Sequence, residues 1–298
     1  MNHSINIINK EDLRYPALLK EIPDAPKKIY VLGELPLDPP ANGPKIAIVG
    51  TRKATDQGKI IAKKIAEKLT NLGVIIVSGL AMGIDTAAHE GAIAANGKTI
   101  AVLANGLDKI YPAQNENLAK KILELNGAII SEYEPGKPAL EHQFLERNRI
   151  VSGLSVATIV IEAPERSGSI VTARLAAEQG REVFVFPGPV NHPNYAGSHK
   201  LIRDGARLVS SIEDILEDLN LEIKNLKTEK LKHDAKFNII DKNQKIIYAT
   251  LQKSSKPLHI DKIIEITKLE PQIANQAIAF LTIAEIIKET EKGYIISL

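Results

Sequence analysis

The chain contains no cysteine, which excludes disulfide bonds, thiolate zinc sites and cysteine nucleophiles. It also lacks an apolar signal core at its N-terminus, and no apolar run approaches the ~18 residues that a membrane span needs. Its seven histidines show neither the H-x-x-x-H nor the H-E-x-x-H spacing of a metal-binding helix. We therefore predict a cytoplasmic protein without a membrane span, a metal site or a cofactor.

An excess of either charge is also missing, because 38 Lys and Arg residues balance 36 Asp and Glu residues to a formal net charge of +2. Bulk charge therefore predicts binding to neither nucleic acid nor a membrane, and any basic surface has to be local. A serine in the G-x-S-x-G arrangement of a nucleophile elbow is absent as well. The function has to be inferred from where individual side chains stand along the chain.

From Lys45 onward, short apolar strands alternate with amphipathic helices. Strands such as Ile46–Val49 and Val156–Ile161 are continuous apolar runs, as expected where both faces of a parallel sheet are covered. Several helices end at a glycine, which suits the left-handed residue after a helix; these are Gly73, Gly97, Gly127 and Gly180. The pattern predicts a doubly wound, Rossmann-like α/β domain with a parallel sheet over residues 45–219. Its ligand is expected beyond the C-terminal ends of the strands.

The segments on either side of this domain predict smaller units. Residues 1–44 are expected to form an N-terminal extension that packs on the core and includes an edge strand at Ile29–Gly33. Residues 220–235 are rich in Lys and acidic residues and predict a charged linker. Residues 236–298 predict a winged-helix domain, because three helical segments, the third at Pro271–Leu281, precede two short apolar segments around a glycine turn.

Three strands of the predicted sheet run directly into a glycine-bearing polar turn and then into a helix. The free N–H groups of a helix's first turn attract anions, and glycine lets a phosphate approach closely. Three such turns at one sheet edge favour a polynucleotide backbone over one small cofactor. The candidate phosphate-binding residues of these turns are Gly50, Thr51, Arg52, Lys53, Ser78, Gly79, Gly83, Ser167, Gly168, Ser169 and Thr172.

Other candidate residues allow two interpretations. Arg52 can reach an anion at the helix N-terminus, which we favour, or pair with a carboxylate across its turn. Asp85 and His89 stand four apart on one helical face and can form an acid–base pair, but we favour a structural role. The further candidates Arg147, Asn148 and Arg149 lie in one helix. The two arginines diverge around it, so one can be structural while the other faces the ligand.

Taken together, these segments resemble the DNA-processing protein A family, also called DprA or Smf. The resemblance covers about residues 12–218, and the tail is similar to the winged-helix domain that many members carry. The residues that carry it include Gly50-Thr51-Arg52, Ser78 to Asp85 with His89, Ala101 to Pro112, Ser131-Glu132, Arg147 to Ile150, Gly153 to Ser155, Ser167-Gly168-Ser169 with Thr172-Ala173, Arg181, Pro187-Gly188 and Gly197-Ser198-His199. Leu145 and Glu146 depart from the family pattern, which has a proline and a basic or polar residue there.

The resemblance implies a protein that binds single-stranded DNA, forms a homodimer, protects incoming DNA and helps to load the recombinase RecA in natural transformation and recombination. Apolar residues at the end of the α/β domain are candidates for the dimer contact, although most are expected to pack on the sheet. They are Leu201, Ile202, Leu208, Val209, Ile212 and Ile215. The tail is expected to be a protein-interaction or regulatory module, because Pro271–Leu281 contains no basic residue to grip phosphates.

The alternative is a nucleotide-processing enzyme that resembles the phosphoribohydrolases of the lysine-decarboxylase-like family. Those enzymes need the glutamate of a Pro-Gly-Gly-x-Gly-Thr-x-x-Glu motif, and Thr172 aligns with it here. Without that carboxylate, the sequence favours a binding protein that is not an enzyme.

Overall fold

The computed structural model describes residues 4–39, 42–219, 242–254, 257–283, 287–290 and 293–296. The chain divides into two compact units, residues 1–222 and residues 223–298. The predicted charged linker, residues 220–235, lies outside the described residues. Among the residues that are described, no helix is long and apolar enough to cross a membrane.

The first unit alternates strands and helices from its third strand onward. Its strands are β1 (Asn6–Asn9), β2 (Lys28–Gly33), β3 (Lys45–Val49), β4 (Ile75–Ser78), β5 (Thr99–Val102), β6 (Ala128–Ser131), β7 (Ala157–Val160), β8 (Glu182–Val185) and β9 (Arg207–Leu208). Its helices are α1 (Ala17–Glu21), α2 (Asp56–Asn71), α3 (Ile84–Ala94), α4 (Glu116–Glu124), α5 (Glu141–Gly153), α6 (Gly168–Glu178), α7 (Ala196–Arg203) and α8 (Ile212–Asp218).

These strands form one sheet in the order β1-β2-β6-β5-β4-β3-β7-β8-β9. The strands from β3 to β9 are parallel, whereas β2 pairs antiparallel with β6 and β1 pairs antiparallel with β2. The chain builds outward from β3 in one direction through β4, β5 and β6, then returns to add β7, β8 and β9 on the other side. The order therefore reverses between β3 and β7, which is where open α/β sheets bind ligands.

Helices cover both faces of this sheet, and the predicted doubly wound α/β fold is confirmed. Side chains of α2, α3 and α8 pack with Ile46, Ile48 and Ile76 on one face. Side chains of α1, α5, α6 and α7 pack with Ala47, Val49 and other inward residues on the opposite face. All five residues of β3 are buried because both of its faces are covered, which explains its unbroken apolar sequence.

The predicted edge strand is wrong in one respect. Ile29–Gly33 does form a strand, but β1 pairs along its outer side and is itself the edge. The sequence Asn-Ile-Ile-Asn of β1 buries only Ile8, so it carries little of the alternation that identifies a strand. β1 forms because its backbone pairs with β2, and its own sequence pattern contributes little.

Two of the predicted glycine helix ends use a different residue. Asn96 and Asn126 adopt the left-handed conformation, with φ of 53° and 56°, one position before the expected glycines. Asparagine tolerates this region better than most residues with a side chain. The glycines that follow are needed for close packing instead: a Cβ on Gly127 would lie 2.5 Å from the Thr99 carbonyl oxygen.

The second unit contains three helices and a two-stranded antiparallel sheet in its described residues. The elements are α9 (Lys242–Lys253), α10 (Ile260–Thr267), α11 (Pro271–Ile283), β10 (Ile287–Thr290) and β11 (Gly293–Ile296). Leu258 forms a β-bridge with Tyr294, and the helices enclose a separate core that includes Ile247, Ile263 and Leu281. Ile273 and Phe280 of α11 remain exposed by 36% and 40%, so one side of this helix combines apolar and amide side chains.

The apolar residues proposed for a dimer contact pack largely as expected. Val209 and Ile215 are fully buried, and Leu201 and Ile212 are nearly so, within the cores on the two sides of the sheet. Leu208 in β9 is the exception and remains 54% exposed.

His89 and Asp85 have separate hydrogen-bond partners, which agrees with a structural role. The fully buried Nδ1 atom of His89 lies 2.8 Å from the Thr99 hydroxyl oxygen, and that hydroxyl donates its proton to the carbonyl of Ile76. Nδ1 therefore carries a hydrogen, which it donates to the Thr99 oxygen. The buried Nε2 has no hydrogen-bond partner among the described residues, which suits the unprotonated nitrogen of a neutral ring. Burial, aided by the charge of Arg147, lowers the pKa of His89 to about 3.

We expect this buried histidine to make the first unit sensitive to acid. The pKa of His89 is about 6.5 in the unfolded state and about 3 in the folded state, so between these pH values only the unfolded state binds the proton. The free energy of unfolding should therefore fall as pH drops below 6.5, by up to about 1.4 kcal/mol per pH unit. His89→Asn keeps a donor for Thr99 and should flatten this dependence, measured by urea unfolding at pH 7, 6 and 5.

The exposed His142 provides the matched control, since His142→Asn should leave the pH dependence as it is in the parent protein. An unchanged pH dependence in a folded His89→Asn variant would contradict the assignment.

Candidate nucleic-acid interface

A cleft of about 650 Å³ lies where the strand order reverses, beyond the carboxyl ends of β3 and β4. The turn after β3, the turn after β4, helix α5 and the start of α6 form its walls. The predicted candidates that line it are Gly50, Thr51, Arg52, Lys53, Gly79, Arg147, Asn148, Ser167, Gly168, Ser169 and Thr172. The cleft thus brings together residues that lie more than 100 positions apart in the sequence.

Three exposed cations stand at this cleft: Arg52, Lys53 and Arg166. The ion pairs among the described residues include none of them. Arg52 therefore does not pair with a carboxylate across its turn. Its guanidinium instead lies over the ring of Phe144, 4.9 Å from the ring centroid. These positive charges are free to meet an anionic ligand.

Aromatic and apolar side chains adjoin the cations. The rings of Phe144 and Tyr111 have centroids 5.5 Å apart and are tilted by 48°. Tyr111 is 46% exposed and Leu145 is 51% exposed. A cation beside an exposed aromatic surface is a suitable platform for a nucleobase and its phosphate.

The turn before α6 offers an anion site that is open to the cleft. The hydroxyl groups of Ser167 and Ser169 lie 2.7 Å apart, and Asn148 and Thr172 both donate to the carbonyl of Gly168. These bonds hold the turn so that the first N–H groups of α6, which have no partner inside the helix, stand at the cleft. Ser167, at the N-cap position, makes no capping hydrogen bond with its side chain.

The turn after β4 differs from the prediction, because the chain's own carboxyl group fills its anion site. Asp85 accepts hydrogen bonds from the backbone N–H groups of Gly79, at 3.0 Å, and Ala81, at 3.4 Å. Ser78 is fully buried and its hydroxyl donates to the carbonyl of Ile48. Gly83 packs against the carbonyl of Thr51 rather than lining the cleft.

The turn after β3 is closed in the same way by Glu162, which follows β7. The buried carboxylate accepts from the backbone N–H of Thr55 at 3.0 Å, where Thr55 is the N-cap residue of α2. It also lies against Gly58 in the first turn of α2, where a Cβ would collide with it. A phosphate at this turn is therefore left with the side chains of Arg52 and Lys53 rather than the N-terminus of α2.

The two arginines of α5 have different surroundings. Arg147 is buried beneath the cleft and donates to the carbonyls of Gly79 and Val102. Burial lowers its pKa to about 10, so it stays charged at neutral pH. Burial also raises the pKa of the nearby Asp85, and the charge of Arg147 opposes that shift. Arg147 thus places a positive charge beneath the cleft, with its Nη1 atom bound to two backbone carbonyls.

Arg149 points away from the cleft lining. Its guanidinium forms two hydrogen bonds with Glu132, at 2.6 and 2.7 Å, and another with the carbonyl of Asp24. This ion pair joins α5 to the end of β6. Arg149 therefore helps to position the helix that carries Phe144 and Asn148 into the cleft.

Sequence reasoning missed Tyr111, Phe144, Arg166 and Glu162 as parts of this site. Arg166 could have been found, because it stands within the third polar turn beside residues that were selected. Among the described residues, no group of three or more His, Asp or Glu side chains is placed to hold a metal ion.

Known proteins with related sequences share most of the first unit. The family model described as DNA recombination-mediator protein A matches residues 6–220. Protein Smf of Escherichia coli (strain K12) is 45% identical over 218 residues, which are 73% of this chain and 57% of that protein. The DNA processing protein DprA of Bacillus subtilis (strain 168) is 42% identical over 215 residues, 72% of this chain and 71% of that protein. The chain therefore spans little more than half the length of the E. coli relative.

Two solved structures are also similar. DNA processing protein A from Streptococcus pneumoniae has a TM-score of 0.64 and 39% identity, covering 72% of this chain and 74% of its own. DNA processing protein A from Helicobacter pylori, whose structure is described as giving insight into a unique single-stranded DNA binding mode, has a TM-score of 0.64 and 33% identity, covering 73% and 96%. Together with the match over residues 6–220, these similarities show that this chain belongs to the DNA recombination-mediator protein A family.

Proposed function

We propose that the cleft at the carboxyl ends of β3 and β4 binds single-stranded DNA in recombination. The observation that carries this proposal is the convergence of three cations, which form no ion pair among the described residues, with the exposed ring of Tyr111 and the partly buried ring of Phe144 in one cleft. Cations neutralise phosphates of any nucleic acid, but rings stack only on bases whose faces are accessible. A duplex hides those faces in its own stack. The binding mode described for the H. pylori relative supports the same choice of ligand.

In this proposal, neighbouring groups of the cleft bind one short stretch of the strand. Phosphates contact Arg52, Lys53, Arg166 and the open N-terminus of α6. A base stacks on Phe144 and takes the ring face that Arg52 covers in the free protein. The displaced guanidinium then reaches the flanking phosphate, so one movement provides both contacts.

The same geometry favours binding over nucleotide processing. Thr172, which aligns with the glutamate of the phosphoribohydrolases, is buried and donates its hydroxyl to the carbonyl of Gly168. Asp85 is held by two backbone N–H groups beneath the surface. We therefore propose a binding protein and not an enzyme.

Family membership further supports a homodimer that protects single-stranded DNA and passes it to RecA. Leu208, an apolar residue at the end of the first unit, stays exposed in β9, which is the last strand of the sheet among the described residues. We propose that it lies in the contact between two copies.

We propose that the second unit is a winged-helix domain with a protein-binding or regulatory role. The exposed side chains of α11 include Ile273, Asn275, Gln276 and Phe280, and none of its residues is basic. Such a helix lacks the phosphate anchors that provide most of the affinity for duplex DNA.

Removing the Arg52 side chain should weaken binding to a single-stranded oligonucleotide and make its salt dependence shallower. Three neutralised phosphates give a logarithmic salt slope of roughly −2, and the loss of one should reduce it by about 0.7. The measurement is fluorescence anisotropy of parent protein and Arg52→Ala at several salt concentrations. Arg52→Lys separates charge from stacking, since it should keep the slope and lose part of the affinity.

Arg203→Ala is the matched control, because Arg203 is exposed at the end of α7 and does not line the cleft. Equal salt slopes for the parent protein and a folded Arg52→Ala variant would remove Arg52 from the proposed site.

We expect light scattering at micromolar concentration to give about twice the chain mass of 32.5 kDa. Leu208→Lys should shift the protein toward the monomer, because it buries a charge in the proposed contact. Val190→Lys, at another exposed aliphatic residue, should not. A monomeric parent protein would rule out the homodimer.

RecA transfer needs its own assay, in which the protein should speed RecA assembly on the bound single-stranded DNA.

A fragment of residues 236–298 should bind duplex DNA more weakly than about 100 μM at physiological salt, the weak end of non-specific binding. The test is titration of the fragment with a labelled duplex, with circular dichroism to check that it is folded. Low-micromolar affinity with a steep salt dependence would show that the second unit is a duplex-binding domain instead.

A further inference from the structure

Glu162 is a buried carboxylate that receives hydrogen bonds from three surrounding residues. It accepts from the backbone N–H and the hydroxyl of Thr55, from the Asn194 side-chain amide at 2.9 Å and from the Tyr195 hydroxyl at 3.1 Å. Although burial raises the pKa of Glu162, these donors outweigh burial and leave the pKa below its usual range. The group is therefore a fixed negative charge at neutral pH.

The bonds of Glu162 lead to the segment that carries two of the cleft's cations. The Asn194 amide that donates to Glu162 also donates to the backbone carbonyl of Lys53, at 3.0 Å. On the other side, Thr55 is bound to Glu162 through both its N–H and its hydroxyl. Residues 53–55 are thus held from two directions by one carboxylate.

The backbone beside Glu162 adds another tie. The N–H of Thr51 donates to the carbonyl of Glu162 at 2.8 Å, and the Thr51 hydroxyl accepts from the N–H of Lys53 at 3.2 Å. Arg52 and Lys53 therefore sit in a short segment whose neighbours on both sides are fixed to the end of β7. Their own charged ends remain unpaired within the described residues.

We infer that Glu162 is a positioning residue, which acts through Asn194 and Thr55 to hold Arg52 and Lys53 in place for the phosphates of a bound strand. The carboxylate of Glu162 occupies the anion position at the start of α2, so a DNA phosphate does not bind there. It also holds the backbone of the segment whose side chains, Arg52 and Lys53, contact the phosphates instead. The inference rests on the proposed function, because it concerns how that cleft contacts its ligand.

The link through Asn194 can be tested against the loss of another hydrogen bond to the same carboxylate. Asn194→Ala removes the amide that joins Glu162 to Lys53, whereas Tyr195→Phe removes a bond to the same carboxylate without reaching the cationic segment. Asn194→Ala loses its bonds to Glu162 and to the Lys53 carbonyl, and only the second of these reaches the cationic segment. We expect this variant to bind a single-stranded oligonucleotide roughly fivefold more weakly, the effect of losing the one bond to Lys53. Tyr195→Phe should bind like the parent protein, even if urea unfolding shows both variants equally destabilised.

A double-mutant cycle then decides whether the effect passes through Lys53. If Asn194 acts by positioning Lys53, Asn194→Ala should change the affinity by less than about twofold in a Lys53→Ala background. Parent-like affinity of the single Asn194→Ala variant, or an equal loss in both backgrounds, would overturn the inference.

Glu162→Gln provides a second test, because it keeps the shape and removes the charge. Loss of a negative charge near the strand would by itself tighten binding. Weaker binding of this variant therefore supports positioning, whereas tighter binding would mean that Glu162 only repels the ligand. If the parent protein does not bind single-stranded DNA, the proposed function fails. If the parent protein binds and Arg52→Ala weakens the binding, the Asn194 and Glu162 variants alone decide the positioning role.

Discussion

Three helices begin next to one another at one edge of the sheet, and the backbone N–H groups in the turn that leads into each helix need an acceptor. Helices α2, α3 and α6 follow β3, β4 and β7, whose carboxyl ends lie side by side. Glu162 accepts from the N–H of Thr55, the N-cap residue of α2, and Asp85 accepts from the N–H groups of Gly79 and Ala81 in the turn before α3. Among the described residues, the turn before α6 has no such carboxyl partner, and the start of this helix faces the cleft. The position of the site follows from this unequal distribution of carboxyl groups among the three helix starts.

The internal carboxyl groups also explain how an almost neutral chain can offer a basic cleft. Glu162 and Asp85 are engaged below the surface with hydrogen-bond donors, and Arg147 contributes its charge to the same layer. The exposed layer above them holds Arg52 and Lys53 without acidic partners in the described part of the chain. Net charge sums both layers, whereas a ligand meets mainly the upper one.

The alternation of apolar strands and amphipathic helices was sufficient to predict the α/β domain. Strand bounds such as Ile46–Val49 differ from the structure by about one residue, since a strand buried on both faces has an unbroken apolar sequence. β1 could not be found in this way, because it is short and buries one side chain. Glycine-based helix ends were partly wrong because asparagine can also adopt the left-handed conformation at Asn96 and Asn126.

The site was predicted less completely, for reasons that depend on tertiary structure. Turn chemistry identifies Arg52 and Ser167 because their local sequence places them at a strand end. Phe144 and Tyr111 meet only through folding, and a helical pattern alone does not decide which of Arg147 and Arg149 faces the cleft. Glu162 carried a signal that was not used: a charged residue directly after an apolar strand has to find donors or a ligand.

The left-handed asparagines also affect the chemical ageing of the protein. Asn96 and Asn126 each precede a glycine, a dipeptide in which the glycine nitrogen can attack the side-chain amide and release ammonia. In the fold, the N–H of Gly97 is bound to the carbonyl of Ala92 at 3.0 Å, and that of Gly127 to the carbonyl of Ile122 at 2.9 Å. Each nitrogen is thereby kept from the geometry of attack. Deamidation at these two positions becomes a record of how often the ends of α3 and α4 have opened.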